Sequence, residues 1–310
     1  MVEVSLTLQS IIPATVLPMT PDYRIDEEAL RSYVRWLIRF EGLGGLAVNV
    51  DTGEGPHLYR EEKREVLRIY SEEVKGRMPI IAGVSASFTA HAIELARDAK
   101  EGGSDAILLF PSPAFGGEPL DPRLPYEYFR AISEAVDIPI VAFQLQRALG
   151  GIEYSPEVLS KLFTLRGVIA LKEASCDAKR FVETLSLMRS LPRKIFMLTG
   201  NDTFILESLI LGADGALIGF GTVATDLQVE MFEAVKRRDY EEAATISRRL
   251  EPLIDAVFAN PVRNYRVRLK EALVMLGVIE RATVRPPLLP ISEEERKTIR
   301  GALKEAGLLP

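Results

Sequence analysis

Eight short apolar runs separated by longer amphipathic segments dominate this chain, and no other feature constrains its fold as tightly. The runs lie at 14–17, 45–50, 79–83, 106–110, 139–143, 168–172, 196–199 and 215–218. They are largely continuous rather than alternating, as expected of parallel strands covered on both faces. Between them, 26–40 places Leu30, Val34, Leu37 and Ile38 on one helical face behind an Asp26 cap. Segment 61–74 does the same with Val66, Leu67, Ile69 and Tyr70, and 89–102, 125–135, 156–163, 177–187, 202–211 and 226–237 complete the set. Eight strand–helix pairs in one domain predict an α/β fold, a (β/α)8 TIM barrel, ahead of an open doubly wound sheet. No glycine-rich dinucleotide fingerprint follows the first run.

Beyond Arg237 the strand signals stop. Segments 239–250, 252–259, 262–276 and 292–306 read as helices, the last opening on the capping box Ser292-Glu293-Glu294-Glu295. The expected organisation is a barrel over 1–238 and a C-terminal helical extension over 239–310, packed on the barrel and not an independent fold.

Composition excludes several functions. At 47% hydrophobic and 26% charged, the 310 residues have an ordinary globular balance. A net charge of -6 argues against a nucleic-acid partner. The single cysteine, Cys176, rules out an internal disulfide framework and suits a reducing compartment. With only His57 and His91 beside it, little soft-ligand capacity exists for a transition metal, and no metal is expected. Met1–Ser10 lacks the basic-then-apolar pattern of a signal peptide, and no apolar run reaches the roughly 18 residues of a membrane span. A cytoplasmic protein with no membrane partner is expected.

The sixth run, Val168-Ile169-Ala170-Leu171-Lys172-Glu173, carries the chemistry. An ammonium in an apolar strand is costly to bury and tends to lose its proton. A neutral lysine is a nucleophile that forms a Schiff base with a carbonyl substrate, whereas a structural lysine would only snorkel to solvent. In a barrel the chemistry sits at the strands' C-terminal ends. There the second run leads into Asp51-Thr52-Gly53-Glu54-Gly55, whose glycines allow a tight turn with N–H groups suited to an anion, or simply a plain βα turn. The seventh leads into Thr199-Gly200-Asn201-Asp202, where Gly200 would admit a ligand closely.

These motifs together resemble the dihydrodipicolinate synthase / N-acetylneuraminate lyase superfamily of class I aldolases. Asp51-Thr52-Gly53-Glu54 is similar to that family's carboxylate loop, and Leu171-Lys172-Glu173-Ala174 to its Schiff-base motif. Thr199-Gly200-Asn201-Asp202, Gly212-Ala213-Asp214-Gly215 and Asn260-Pro261 follow in the family's order, so the resemblance runs nearly end to end. It implies a lyase in which Lys172 attacks pyruvate or another 2-oxo acid, with a covalent imine and no dissociable cofactor. The carboxylate would rest on Asp51-Thr52, and an aldehyde is a candidate second partner. The implied catalytic residues are Lys172 and Asp51, the implied substrate contacts Thr52, Gly53, Phe143, Gly200 and Leu217. A homotetramer or homodimer is implied by the resemblance alone.

The chain also departs from the pattern. The family's proton-relay tyrosine on the fifth strand is Phe143 here, which carries no proton. The loop threonine that serves it is Asp51, and the relay's second tyrosine aligns near Pro113. The arginine that holds the second substrate's carboxylate in the synthases aligns with Ala148, one residue after Arg147. Two explanations compete: Asp51 has taken over the proton transfer, or the chain is a non-catalytic 2-oxo-acid-binding protein. Retention of Lys172 favours the enzyme. The amide and aliphatic loop 144–151 suits a neutral or partly apolar acceptor better than a dianionic aldehyde. Candidates include a sugar-acid aldolase or dehydratase and an arylidene-pyruvate hydratase-aldolase, with 4-hydroxy-tetrahydrodipicolinate synthase as the runner-up.

Overall fold

A computed structural model describes residues 6, 8–117 and 119–310, so part of Met1–Ser10 lies outside the described residues. Eight parallel strands, β1 (Ile11–Pro13), β2 (Leu46–Val48), β3 (Ile80–Val84), β4 (Ala106–Leu109), β5 (Ile140–Leu145), β6 (Val168–Ala174), β7 (Phe196–Thr199) and β8 (Gly215–Ile218), pair in the order 1-8-7-6-5-4-3-2. Parallel bridges Ile11↔Leu43 and Ala14↔Ala47 bring the two ends together and close the barrel. Helices α1 (Glu27–Leu37), α2 (Arg60–Val74), α3 (Thr89–Glu101), α4 (Arg123–Ala135), α5 (Pro156–Leu162), α6 (Ala178–Arg189), α7 (Ile205–Leu211) and α8 (Thr225–Lys236) each follow a strand. This is the (β/α)8 TIM barrel that the alternation predicts.

Side-chain parity divides the strands between two cores. Ile12, Ala47, Ile81, Leu108, Val141, Phe143, Ala170, Leu198 and Leu217 fill the barrel interior. Ile11, Val48, Ala82, Leu109, Ala142, Leu171, Met197 and Ile218 face the helices. The period of two therefore carries Ala170, Lys172 and Ala174 to the inside and Leu171 and Glu173 outward.

Three expectations shift. The first strand is Ile11–Pro13, not 14–17, because Ile11, Ile12 and Pro13 pair with Ala216, Leu217 and Ile218 of β8. Strands β5 and β6 run two residues further than their apolar stretches, since Gln144↔Glu173 and Leu145↔Ala174 continue the ladder. Segments 239–250 and 252–259 form one helix, α9 (Tyr240–Phe258), with Pro252 inside it.

The extension continues with α10 (Tyr265–Met275) and α11 (Glu293–Glu305), the latter on the expected Ser292/Glu295 capping box. Every residue from Tyr265 to Leu273 is buried. A helix covered all round has no polar face, so each of its charges needs a partner. Arg266 pairs with Asp51 at 2.6 Å, Arg268 with Glu295 at 2.7 Å and Glu271 with Arg296 at 2.9 Å. The cluster of Arg263, Arg266 and Arg268 that reads as a solvated face is therefore an internal one at Arg266 and Arg268. Lys270 is fully enclosed with Glu54, whose carboxylate also accepts the Arg285 N–H at 2.8 Å.

Removing one member of such a pair leaves a buried charge uncompensated. Lys270→Met is expected to lower unfolding free energy by about 3–5 kcal/mol, measured by urea denaturation, with Lys270→Met/Glu54→Gln recovering most of it. Equal destabilisation by the single and double variants would contradict this account.

Candidate active site

Lys172 stands opposite Phe143 of β5 and Leu198 of β7 in one layer of the barrel, near its C-terminal mouth. Its side chain is 6% exposed, and its Nζ sits 4.5 Å from the centre of the Phe143 ring. Phe110 packs edge-on against that ring at 4.9 Å. The lysine stem passes over Gly200. A Cβ added there would lie 2.6 Å from Lys172 Cε and 2.8 Å from Ala174 Cβ. Gly200 thus makes room for the lysine itself, a tighter constraint than the close ligand approach expected of it.

Among the described residues Lys172 makes no hydrogen bond or ion pair. Burial lowers its amine to about 8, while the nearby Asp202 and Asp51 carboxylates pull in the opposite direction. Desolvation wins because neither carboxylate bonds the amine, and a hydrocarbon ring packs against it.

Strand ends β5, β6 and β7 are held by a polar network on their outer side. Gln144 Nε2 donates to Glu173 Oε1 at 3.0 Å, and Asn201 Nδ2 donates to Glu173 Oε2 at 2.6 Å. The Ser175 N–H also donates to Glu173, and the Tyr154 N–H to Gln144 Oε1. Alternation along β6 thus gives Lys172 to the cavity and Glu173 to the scaffold that orients it.

The loop after β2 supplies the facing wall. Its Glu54 and Gly55 N–H groups bond the Asp51 and Val50 carbonyls, closing a tight turn in which, among the described residues, the Thr52 and Gly53 N–H groups are not used. A Cβ on Gly55 would strike the Asn49 carbonyl oxygen. From the extension, Tyr265 donates to Asp51 Oδ2 at 2.7 Å, and its oxygen lies 3.4 Å from Thr52 Oγ1. Arg266 donates to both Asp51 carboxylate oxygens at 2.6 Å and, through Nε, to the Asp51 carbonyl at 3.0 Å.

Lys172, Asp51, Thr52, Phe143 and Gly200 line one cavity, together with Asp202, Gly219 and Tyr265. Its volume is about 50 Å³. At about 10–15 Å³ per water, that is room for a few waters or one small organic acid. Gly53 and Leu217 are not on its surface. Gly53 backs onto the Thr15 carbonyl, and Leu217 is packed in the barrel interior below. Asp51 is on the wall, but its carboxylate is taken by Arg266 and Tyr265, so it is not the freestanding proton carrier expected of it.

Two groups escaped the sequence reading. Asp202 accepts the Phe220 N–H at 2.7 Å, and enclosure raises its carboxyl to about 6. Tyr265 was hidden in the C-terminal helix, where nothing local ties it to the strand ends. His57 is half-buried behind the loop, and burial together with the Arg266 charge lowers its imidazole. Arg147 lies along a second, open cavity with Arg180 and Glu153, away from Lys172. No helix among the described residues is long and apolar enough to cross a membrane.

The Dihydrodipicolinate synthetase family model matches residues 7–306. This chain belongs to that family. It is 34% identical over 286 residues to a 4-hydroxy-tetrahydrodipicolinate synthase of Rhodopseudomonas palustris, covering 92% of each chain. The dihydrodipicolinate synthase structure from Thermotoga maritima superposes with a TM-score of 0.89 at 27% identity, over 98% of this chain and all of that one. The Acinetobacter baumannii enzyme complexed with pyruvate gives 0.86 at 30% identity, over 98% and 100%. The family places this chain among the lyases, and the family's enzymes work through a covalent lysine imine without an external cofactor.

Only a neutral amine adds to a carbonyl. With its value lowered to about 8, roughly one Lys172 in ten is neutral at pH 7, against about one in 3,000 for an ordinary lysine. The initial rate of imine formation should therefore rise about tenfold per pH unit below about 8 and level off above it, as followed by quenched borohydride trapping. A flat profile between pH 6 and 8 would show that the amine does not titrate there.

Proposed function

We propose that this chain is a Schiff-base lyase that acts on pyruvate or a closely related 2-oxo acid through Lys172, with an acceptor or product that is not a dianionic aldehyde. The observation that carries the reading is a buried, unpaired amine facing a hydroxyl-bearing loop across a cavity of small-acid size. In the proposed reaction Lys172 Nζ adds to the keto carbon and water leaves, giving an iminium that withdraws electrons from C3. The substrate carboxylate is held by the Thr52 hydroxyl and by the Thr52 N–H, a donor that the turn does not consume.

The restriction on the acceptor rests on the rest of the lining. Leu145, Gln146, Leu149, Phe258 and Val262 also line the cavity, and none carries a charge. A dianion needs a cationic partner there, and Arg147 lines the neighbouring cavity instead. The second reading, 4-hydroxy-tetrahydrodipicolinate synthase itself, is favoured by the names of relatives that are 32–34% identical over nearly full length.

Borohydride reduction with a panel of 2-oxo acids, followed by peptide mass spectrometry, tests the first half. An adduct on Lys172 is expected with pyruvate or a near analogue and is expected to vanish in Lys172→Ala. Consumption of pyruvate with neutral against carboxylate-bearing aldehydes tests the second half. Preference for the carboxylate-bearing aldehyde would decide for the synthase.

A further inference from the structure

The barrel wall nearest Lys172 holds an aromatic ring without a proton, yet a phenol reaches the same cavity from another part of the chain. Tyr265 opens α10, is 5% exposed and lines the cavity with Lys172, Thr52 and Phe143. Its ring is stacked on Phe258 with centroids 5.5 Å apart and planes 20° apart, and the Arg266 guanidinium lies 5.1 Å from its centre. These contacts fix where the hydroxyl points. We propose that Tyr265, paired with Asp51, moves the substrate proton that a phenol at position 143 would otherwise carry. This inference rests on the Schiff-base reading and specifies its proton path.

The hydrogen-bond geometry gives the direction. A phenol has one proton, and Tyr265 donates it to Asp51 Oδ2 at 2.7 Å. Toward Thr52 Oγ1, 3.4 Å away, it can therefore only accept. Gly219 keeps this corner open, because a Cβ there would come within 3.1 Å of Thr52 Oγ1 and 3.4 Å of the Tyr265 ring. Burial and the adjacent Asp51 charge hold the phenol well above its ordinary value. Tyr265 therefore does not work as a phenolate. It works by exchange, accepting one proton as it releases another.

In the proposed step the C3–H bond of the Lys172 iminium breaks. Its electron pair forms C2=C3, and the C=N π pair returns to nitrogen, giving the enamine. The proton lands on the Tyr265 oxygen while the Tyr265 proton passes to Asp51 Oδ2. Reversal of the same transfers regenerates the resting pair, and no oxidant or reductant is involved. Arg266 fixes the acceptor oxygens through its contacts at 2.6 Å and is a positioning residue.

The test is solvent deuterium exchange into the C3 methyl of pyruvate, followed by proton NMR, with borohydride trapping run in parallel. Exchange needs both the imine and the proton carrier, and trapping needs only the imine. Tyr265→Phe keeps the ring and its stack on Phe258. It is expected to trap pyruvate on Lys172 with half-maximal pyruvate within about twofold of wild type, and to exchange about 100-fold more slowly. Asp51→Asn is expected to slow exchange as well. Wild-type exchange in Tyr265→Phe overturns the relay. So does a loss of exchange confined to Asp202→Asn, which would assign the proton to that carboxyl. Absence of any adduct in the wild-type protein fails the Schiff-base reading itself, a result distinct from either.

Discussion

The pairing of α10 with the loop after β2 is the contact on which the site depends. Tyr265, Arg266 and Lys270 lie along one short stretch of helix and meet Asp51, Thr52 and Glu54 along one short stretch of loop. Buried ion pairs gain little net stability, because desolvation offsets most of their attraction. What they supply here is position. A loop tied at Asp51 and again at Glu54 has no freedom to slide, so Thr52 is held facing Lys172. The extension is in this sense one wall of the active site.

A second constraint comes from the lysine itself. An amine buried without a partner is expensive, and this one is tolerated because the cost is met by shedding the proton. Phe143 contributes directly, as its ring lies against Nζ with its centre 4.5 Å away. The same phenylalanine, which has no proton to carry, adds to the burial that lowers the Lys172 amine. Asp51 and Asp202 act against that effect at a distance and keep the amine from being lowered further.

Much of this could be read from the residues in order. Lys172 is legible because an amine breaks an apolar run of strand length. The loop 51–55 is legible because two glycines follow a strand. Leu217 and Gly53 were misplaced for a related reason. Position near a strand's end says that a residue is close to the mouth, but its parity and the backbone behind it decide whether it reaches the cavity. Asp51 differs from the lone carboxylate that the sequence suggests, because it is paired with Tyr265 and Arg266. A carboxylate beside a substrate can carry a proton by itself only if no cation claims it, and the cation that claims it lies 215 residues away along the chain.

The sequence alone determined the barrel, its helical extension and the buried amine that breaks the sixth apolar run, because periodicity and strand length are local properties of the chain. Only the tertiary structure decided that Arg266 and Lys270 are internal, that Gly200 serves the lysine stem and that a phenol from α10 enters the cavity. Those facts depend on which distant residues share a space. Burial on all sides of α10 erases the helical periodicity that would otherwise have marked an inward face, so nothing in the local pattern announces that Tyr265 reaches the strand ends.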